Sequence, residues 1–83
     1  MENLHLEIIS PTGILFKGNC HMAVVPAAEG EMGIMQGHEL VITTLNSGQL
    51  AVFDQKNNQI ASFEVNSGFA KMQDANNLLV LID

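Results

Sequence analysis

Ala61-Ser62-Phe63-Glu64-Val65 alternates apolar and polar side chains without a break, and Asn66-Ser67-Gly68 stops it. Successive side chains of a strand point to opposite faces, so Ala61, Phe63 and Val65 share one face and Ser62 and Glu64 the other. Such a segment has one face in a core and one in water. The same pattern opens the chain, where Leu4, Leu6 and Ile8 lie opposite His5 and Glu7. Two further segments, Met22 to Val25 and Leu78 to Ile82, are apolar on both faces. Their brevity and flanking turns mark them as strands too. They are expected to be central in a sheet, or to turn their outer face to another protein. Turn residues recur at Pro11-Thr12-Gly13, Gly18-Asn19, the stretch Ala28 to Gly33, Gly37, Asn46-Ser47-Gly48, Asp54 to Asn58 and Asp74 to Asn77. This spacing belongs to a sandwich or barrel. No helix-period stripe, internal repeat or linker interrupts it. The expected fold class is therefore all-β, in a single domain over residues 1–83.

Composition narrows the function. The chain has 83 residues, of which 47% are hydrophobic, enough for one small core. A domain of this size hides only about 60–65% of the surface its unfolded chain exposes. Cys20 is the single cysteine, so no intramolecular disulfide reinforces the fold, in keeping with a reducing compartment. Nine acidic and three basic residues, with no arginine, leave a formal charge of −6. That surface repels phosphate backbones, which argues against nucleic acid, and anionic lipid is disfavoured for the same reason. The longest uncharged run, Leu40 to Phe53, is too short and too polar for a spanning helix. Met1-Glu2-Asn3-Leu4-His5 has neither a basic start nor an apolar signal core. A link to a membrane is expected to run through a protein partner.

The densest segment is Val24 to His38, with glycines at 30, 33 and 37. A phosphate-binding loop needs a lysine beside its last glycine and amides clear of negative charge. Here His38 follows Gly37, and Glu29 and Glu31 sit within the segment. The glycines are expected to serve backbone geometry in a compact loop, with Glu29 and Glu31 as exposed acids. His5, His21, His38 and Cys20 lack metal-ligand spacing, and adjacent Cys20 and His21 point to opposite faces of a strand. No metal or cofactor is expected, and no base or electropositive setting activates the thiol. Lys71, in Phe69-Ala70-Lys71-Met72, is the alternative candidate, as the attachment site of a lipoyl or biotinyl carrier. Its neighbours depart from the usual carrier pattern, and the turn at Asp74 to Asn77 places it inside a strand. A binding module remains. Without Trp, Tyr or Arg, its contacts rest on Phe, Met, Ile, His and the acidic segment, which favours a basic partner surface.

Val24-Val25-Pro26, Glu29-Gly30-Glu31-Met32-Gly33-Ile34, Gly37-His38 and Thr43-Thr44-Leu45 together resemble the epsilon subunit family of F-type ATP synthases, called delta in mitochondria. Leu4 to Pro11, Phe16-Lys17-Gly18, Val65-Asn66-Ser67-Gly68-Phe69 and Val80-Leu81-Ile82-Asp83 extend the resemblance in collinear order along the chain. Ala27, Gln36 and Asn66 depart from the family pattern, which more often has Gly, Pro and a small residue there. Family members continue into a C-terminal helical hairpin, whereas this sequence stops at Asp83.

The resemblance implies a ten-stranded β-sandwich of two mostly antiparallel sheets. It implies a non-catalytic rotor subunit of the central stalk that joins gamma to the c-ring and couples proton-driven rotation to ATP synthesis. By motif matching, Glu29, Gly30 and Glu31 face the polar loops of the c-ring, with Glu31 ion-paired to a basic residue there. His38, Thr43 and Ser10 face gamma. The implied location is the cytoplasmic face of a bacterial inner membrane, peripheral to it through the complex, ahead of a mitochondrial or plastid equivalent.

Overall fold

The computed structural model describes residues 3–39 and 42–83. Met1 and Glu2 of the N-terminal reading, and Leu40 and Val41 of the uncharged run, lie outside them. The described residues form nine strands and no helix: β1 (Leu4–Ser10), β2 (Gly13–Cys20), β3 (Met22–Ala27), β4 (Gly30–Met35), β5 (Ile42–Leu45), β6 (Gly48–Phe53), β7 (Gln59–Val65), β8 (Gly68–Asp74) and β9 (Asn77–Ile82). The all-β expectation holds, with nine strands among the described residues where ten were expected.

The strands form one connected sheet in the order β2-β1-β9-β8-β5-β3-β6-β7, with β4 on the free side of β3. The two-sheet expectation is refined here, because β3 belongs to both layers. Ala27 pairs with Leu45 of β5, while Met22, Ala23 and Val24 pair with Phe53, Val52 and Ala51 of β6. The chain bends between β5 and β6 at Asn46-Ser47, so hydrogen bonding passes from one layer to the other without a break. Strands β2 and β7 stand at the two ends of the order, and their aromatic rings meet: Phe16 and Phe63 pack edge to face with centroids 6.3 Å apart at 73°. That contact closes the curl over a single core.

The alternation read from the sequence is what fills that core. Leu4, Leu6 and Ile8 of β1 are fully buried, as is Val65 of β7, with Ala61 and Phe63 packed against them. The two doubly apolar segments are central: β9 lies between β1 and β8, and β3 between β4 and the β5–β6 bend. In β9, Leu78 and Val80 point inward, while Leu79 and Leu81 alternate with them and stay half-buried. The pairing of β1 with β9 is parallel, His5 opposite Asn77 through Ile9 opposite Leu81.

Two expectations about turns are corrected. Gly18 and Asn19 are not a turn; they continue β2 opposite Leu6 and His5. Ladder pairing there overrides local turn propensity. Likewise Gly30 and Gly33 belong to β4, which forms a tight hairpin with β3 instead of a compact loop. Gly68 at the head of β8 is required twice over. Its φ is +151°, and a Cβ there would sit 2.0 Å from the Leu81 carbonyl oxygen.

Candidate docking surface

The strand turns gather at two ends of a body measuring 32 × 24 × 23 Å. The first end holds the β1–β2, β3–β4 and β7–β8 turns and the β5–β6 bend. Only Ala28 and Glu29 separate the paired residues Ala27 and Gly30. Gly30 takes φ +127°, and a Cβ there would meet nothing within 4 Å. Its role is thus to let the backbone reverse, not to admit a neighbour. The hairpin is tied to the bend by Ala28 N donating to the Thr44 carbonyl (3.0 Å) and Asn46 N to the Pro26 carbonyl (2.8 Å). The Asn46 side-chain amide donates to the Ala28 carbonyl at 3.3 Å. These bonds fix the acidic tip to the body of the sheet.

Glu29 and Glu31 are both exposed. With Gly30 and Met32 they form one wall of an open groove of about 550 Å³, and Ile42, Thr43 and Thr44 of β5 form the other. Among the described residues that line it there is no lysine or histidine. The groove presents carboxylates beside hydroxyls and so attracts positive charge.

The structure brings some candidate residues together and separates others. Glu29, Gly30 and Glu31 share this groove with Thr43, which the sequence reading assigned to a different partner. Ser10 caps the β1–β2 turn at the same end, its hydroxyl bonded to Thr12 Oγ1 at 3.0 Å. Three strand spacings, about 14 Å, separate β1 from β5. His38 lies at the opposite end. There Gly37 N donates to the Ala75 carbonyl (2.7 Å), and His38 N donates to that of Met35 (3.1 Å). The Gln36 amide donates to Asn76 Oδ1 at 2.5 Å. These bonds clasp the segment after β4 to the β8–β9 turn, about 20 Å along β1 from Ser10.

The other candidates are ordinary members of the sheet. Lys71 is in the middle of β8, opposite Leu79 and Ile42, and not at a hairpin tip where a carrier lysine must project. Cys20 is buried, and that burial pushes its thiol up to about 11, so it stays protonated and unreactive at neutral pH. Among the described residues no three His, Cys, Asp or Glu side chains converge as a metal site. Two aspartates act locally. Asp54 Oδ1 accepts from the backbone N–H groups of Asn58 and Lys56, each at 2.9 Å, in the β6–β7 turn. Asp74 Oδ1 accepts from Asn76 N (2.8 Å) and the Asn77 amide (2.9 Å) in the β8–β9 turn. Hydrogen bonds to the charged form, led by Asn58 and Asn76 respectively, hold both carboxyls below their ordinary range.

The sequence reading missed a broad exposed face on the layer β2-β1-β9-β8-β5. Ile14, Ile42 and Phe69 are 55%, 65% and 38% exposed, next to half-buried Ile9, Leu79 and Leu81. The signal for it was present only in Leu78 to Ile82, apolar on both sides.

Residues 3–83 match the family described as the ATP synthase delta/epsilon chain beta-sandwich domain. The ATP synthase epsilon chain of Campylobacter fetus subsp. fetus is 33% identical over 85 residues, covering all of this chain and 63% of its own length. That of Parvibaculum lavamentivorans is 39% identical over 74 residues, covering 89% of this chain and 55% of its own. The chain thus spans less than two thirds of the length of these two relatives. Among solved structures, a chain of the Euglena gracilis mitochondrial ATP synthase (OSCP/F1/c-ring) superimposes with a TM-score of 0.88 at 22% identity, covering 99% of this chain and 51% of that one. A chain of the Tetrahymena thermophila mitochondrial ATP synthase central stalk and c-ring gives a TM-score of 0.76 at 12% identity, covering 95% of this chain and 62% of that one. Both likenesses are of fold.

Proposed function

Because this chain belongs to the ATP synthase delta/epsilon family through its β-sandwich domain, we propose that it is a non-catalytic rotor element of an F-type ATP synthase. It joins a gamma-type shaft to the c-ring and transmits rotation between them, peripheral to the membrane through the complex. The observation that carries this reading is the family match along residues 3–83. The geometry supports it in three ways.

Torque transfer needs a body that does not shear. Here one hydrogen-bonded sheet runs through both layers by way of β3, and the interior is close-packed. A load applied at one end passes along backbone ladders instead of through a mobile joint. Next, the end bearing Glu29 and Glu31 is acidic, exposed and tied down, which suits docking on basic residues of c-ring loops, with Glu31 as the ion-pairing group. Finally, His38 and Ser10 lie at opposite ends of the body, while Thr43 is near the acidic tip. A gamma contact that includes all three runs from one end of the strands to the other, which spreads the load over many residues. Exposed ion pairs are each worth about 0–1 kcal/mol, so no single one can carry the torque.

Co-expression with gamma and c-ring subunits tests this reading. A stoichiometric complex recovered through a tag on this chain is expected. A chain that passes through alone, while gamma and the ring assemble without it, overturns the proposal.

A further inference from the structure

The exposed face of β2-β1-β9-β8-β5 has an internal order that the rotor reading does not use. Cross-strand register lays its outward residues in two rows. One row runs Ile14, Ile9, Leu81, Phe69, Thr44. The next runs Lys17, Glu7, Leu79, Lys71, Ile42. The inward residues of the same strands, such as Leu6, Ile8, Val80 and Ala70, are buried, so these rows are the outer surface. Two of the chain's three basic residues, Lys17 and Lys71, stand on it, although the protein as a whole is strongly acidic.

In the second row the two residues that flank β9 are opposite in charge. Glu7 stands one strand to one side of Leu79, and Lys71 one strand to the other. We propose that this face is a self-association surface, on which two copies of the chain pack face to face about a two-fold axis lying between them along β9. Such an axis sets the residue on one side of β9 against the residue on the other side in the same row of the second copy. Glu7 of each copy then meets Lys71 of the other, and the ion pair forms twice. In the first row Ile9 meets Phe69, while Leu79 and Leu81 meet their own counterparts along the axis. The Lys17 stem covers Ile42, the most exposed of the large apolar residues, and its ammonium reaches water. No other strand of the layer gives this match: an axis along β1 sets Glu7 against its own counterpart and Lys17 against Leu79, and one along β8 sets Lys71 against its own counterpart.

The contact is modest in size. Five strands span about 24 Å, and two rows of side chains bury less than the roughly 800 Å² per partner of a standard interface. The dimer therefore belongs with weak, transient contacts, which commonly have dissociation constants of roughly micromolar to millimolar.

Sedimentation equilibrium of the purified chain, over that concentration range, is the test. A reversible monomer–dimer equilibrium is expected, and Lys71→Glu is expected to weaken it by about tenfold or more, since both facing pairs become repulsive. Adding Glu7→Lys to that variant restores opposite charges across the axis and returns the dimer. Leu81→Lys, which sets like charges on the axis itself, abolishes it. Circular dichroism confirms that each variant keeps its strands. A chain that stays monomeric throughout overturns the inference, and so does a dimer indifferent to Leu81→Lys or a double swap that fails to restore it. All of these are read on the chain alone, so they leave the test with gamma and the c-ring independent.

Discussion

The β3–β4 tip and the outer face of β9 are both exposed, but different forces equip them for contact. The tip offers Glu29 and Glu31 on a hairpin of two connecting residues, braced by hydrogen bonds to Thr44, Pro26 and Asn46. Its attraction acts at a distance and fades with salt. The β9 face offers Leu79 and Leu81 flanked by Ile9 and Phe69. The attraction of these apolar side chains needs contact and scales with covered area, and salt does not screen it as it screens charge. The contrast teaches that exposure alone does not mark function; the force that an exposed patch can exert does.

Glycine substitutions break the comparison most sharply. Gly68 faces the β9 backbone at Leu81, so Gly68→Ala adds a steric clash to backbone strain and is expected to cost about 4 kcal/mol in denaturant unfolding. Leu78→Ala, on the inward side of β9, is expected to cost about 3 kcal/mol by leaving a cavity. The outward neighbour Leu79→Ala should fall below about 1 kcal/mol in the same assay. Gly30→Ala at the tip meets open space and strains only the backbone, for about 1 kcal/mol. If Gly30→Ala destabilises as much as Gly68→Ala, the tip is packed in a way that its open surroundings contradict.

Charge at the tip acts on docking, not on folding. Glu31→Lys replaces attraction by repulsion and is expected to weaken recovery of assembled rotor about fivefold at low salt, with a smaller effect at high salt. Glu31→Ala should do less. Unchanged recovery with Glu31→Lys would take the tip out of the c-ring contact. The smallest effect is on acid stability. The lowered carboxyls of Asp54 and Asp74 contribute stability that is present above the ordinary aspartate range and is lost as pH falls through their lowered values. Asp54→Asn and Asp74→Asn should each flatten the acid limb of a stability profile below about pH 4 while leaving its slope near neutrality unchanged.

Much of this was legible in the sequence where structure is local. Period-two alternation in Leu4 to Ile8 and Ala61 to Val65 assigned those strands and their inward faces, because one buried side is enough to fix both. Leu78 to Ile82 showed itself as central for the same reason. Gly18-Asn19 misled because a glycine is read as a turn until its ladder partner, Leu6, is known. The sharing of β3 between two layers left no trace, since it depends on Ala27 meeting Leu45 across a long stretch of chain. The site divided in the same way. Glu29 and Glu31 were recognisable as exposed acids from their own surroundings, whereas Thr43 joined their groove only through that long-range pairing. The order of the β9 face rests on four separate registers, and no window of sequence contains them all.

The parallel ladder between β1 and β9 has a further consequence, in time rather than in space. The earliest strand to be synthesised waits for the ninth before either can complete its hydrogen bonding. Until then Leu6 and Ile8 have an open edge beside them, and hairpins made in the meantime can only be provisional. Pairings this remote along the chain place the domain among slowly folding, high-contact-order proteins. A nascent chain carrying β1 through β8 is thus the species most in need of a chaperone.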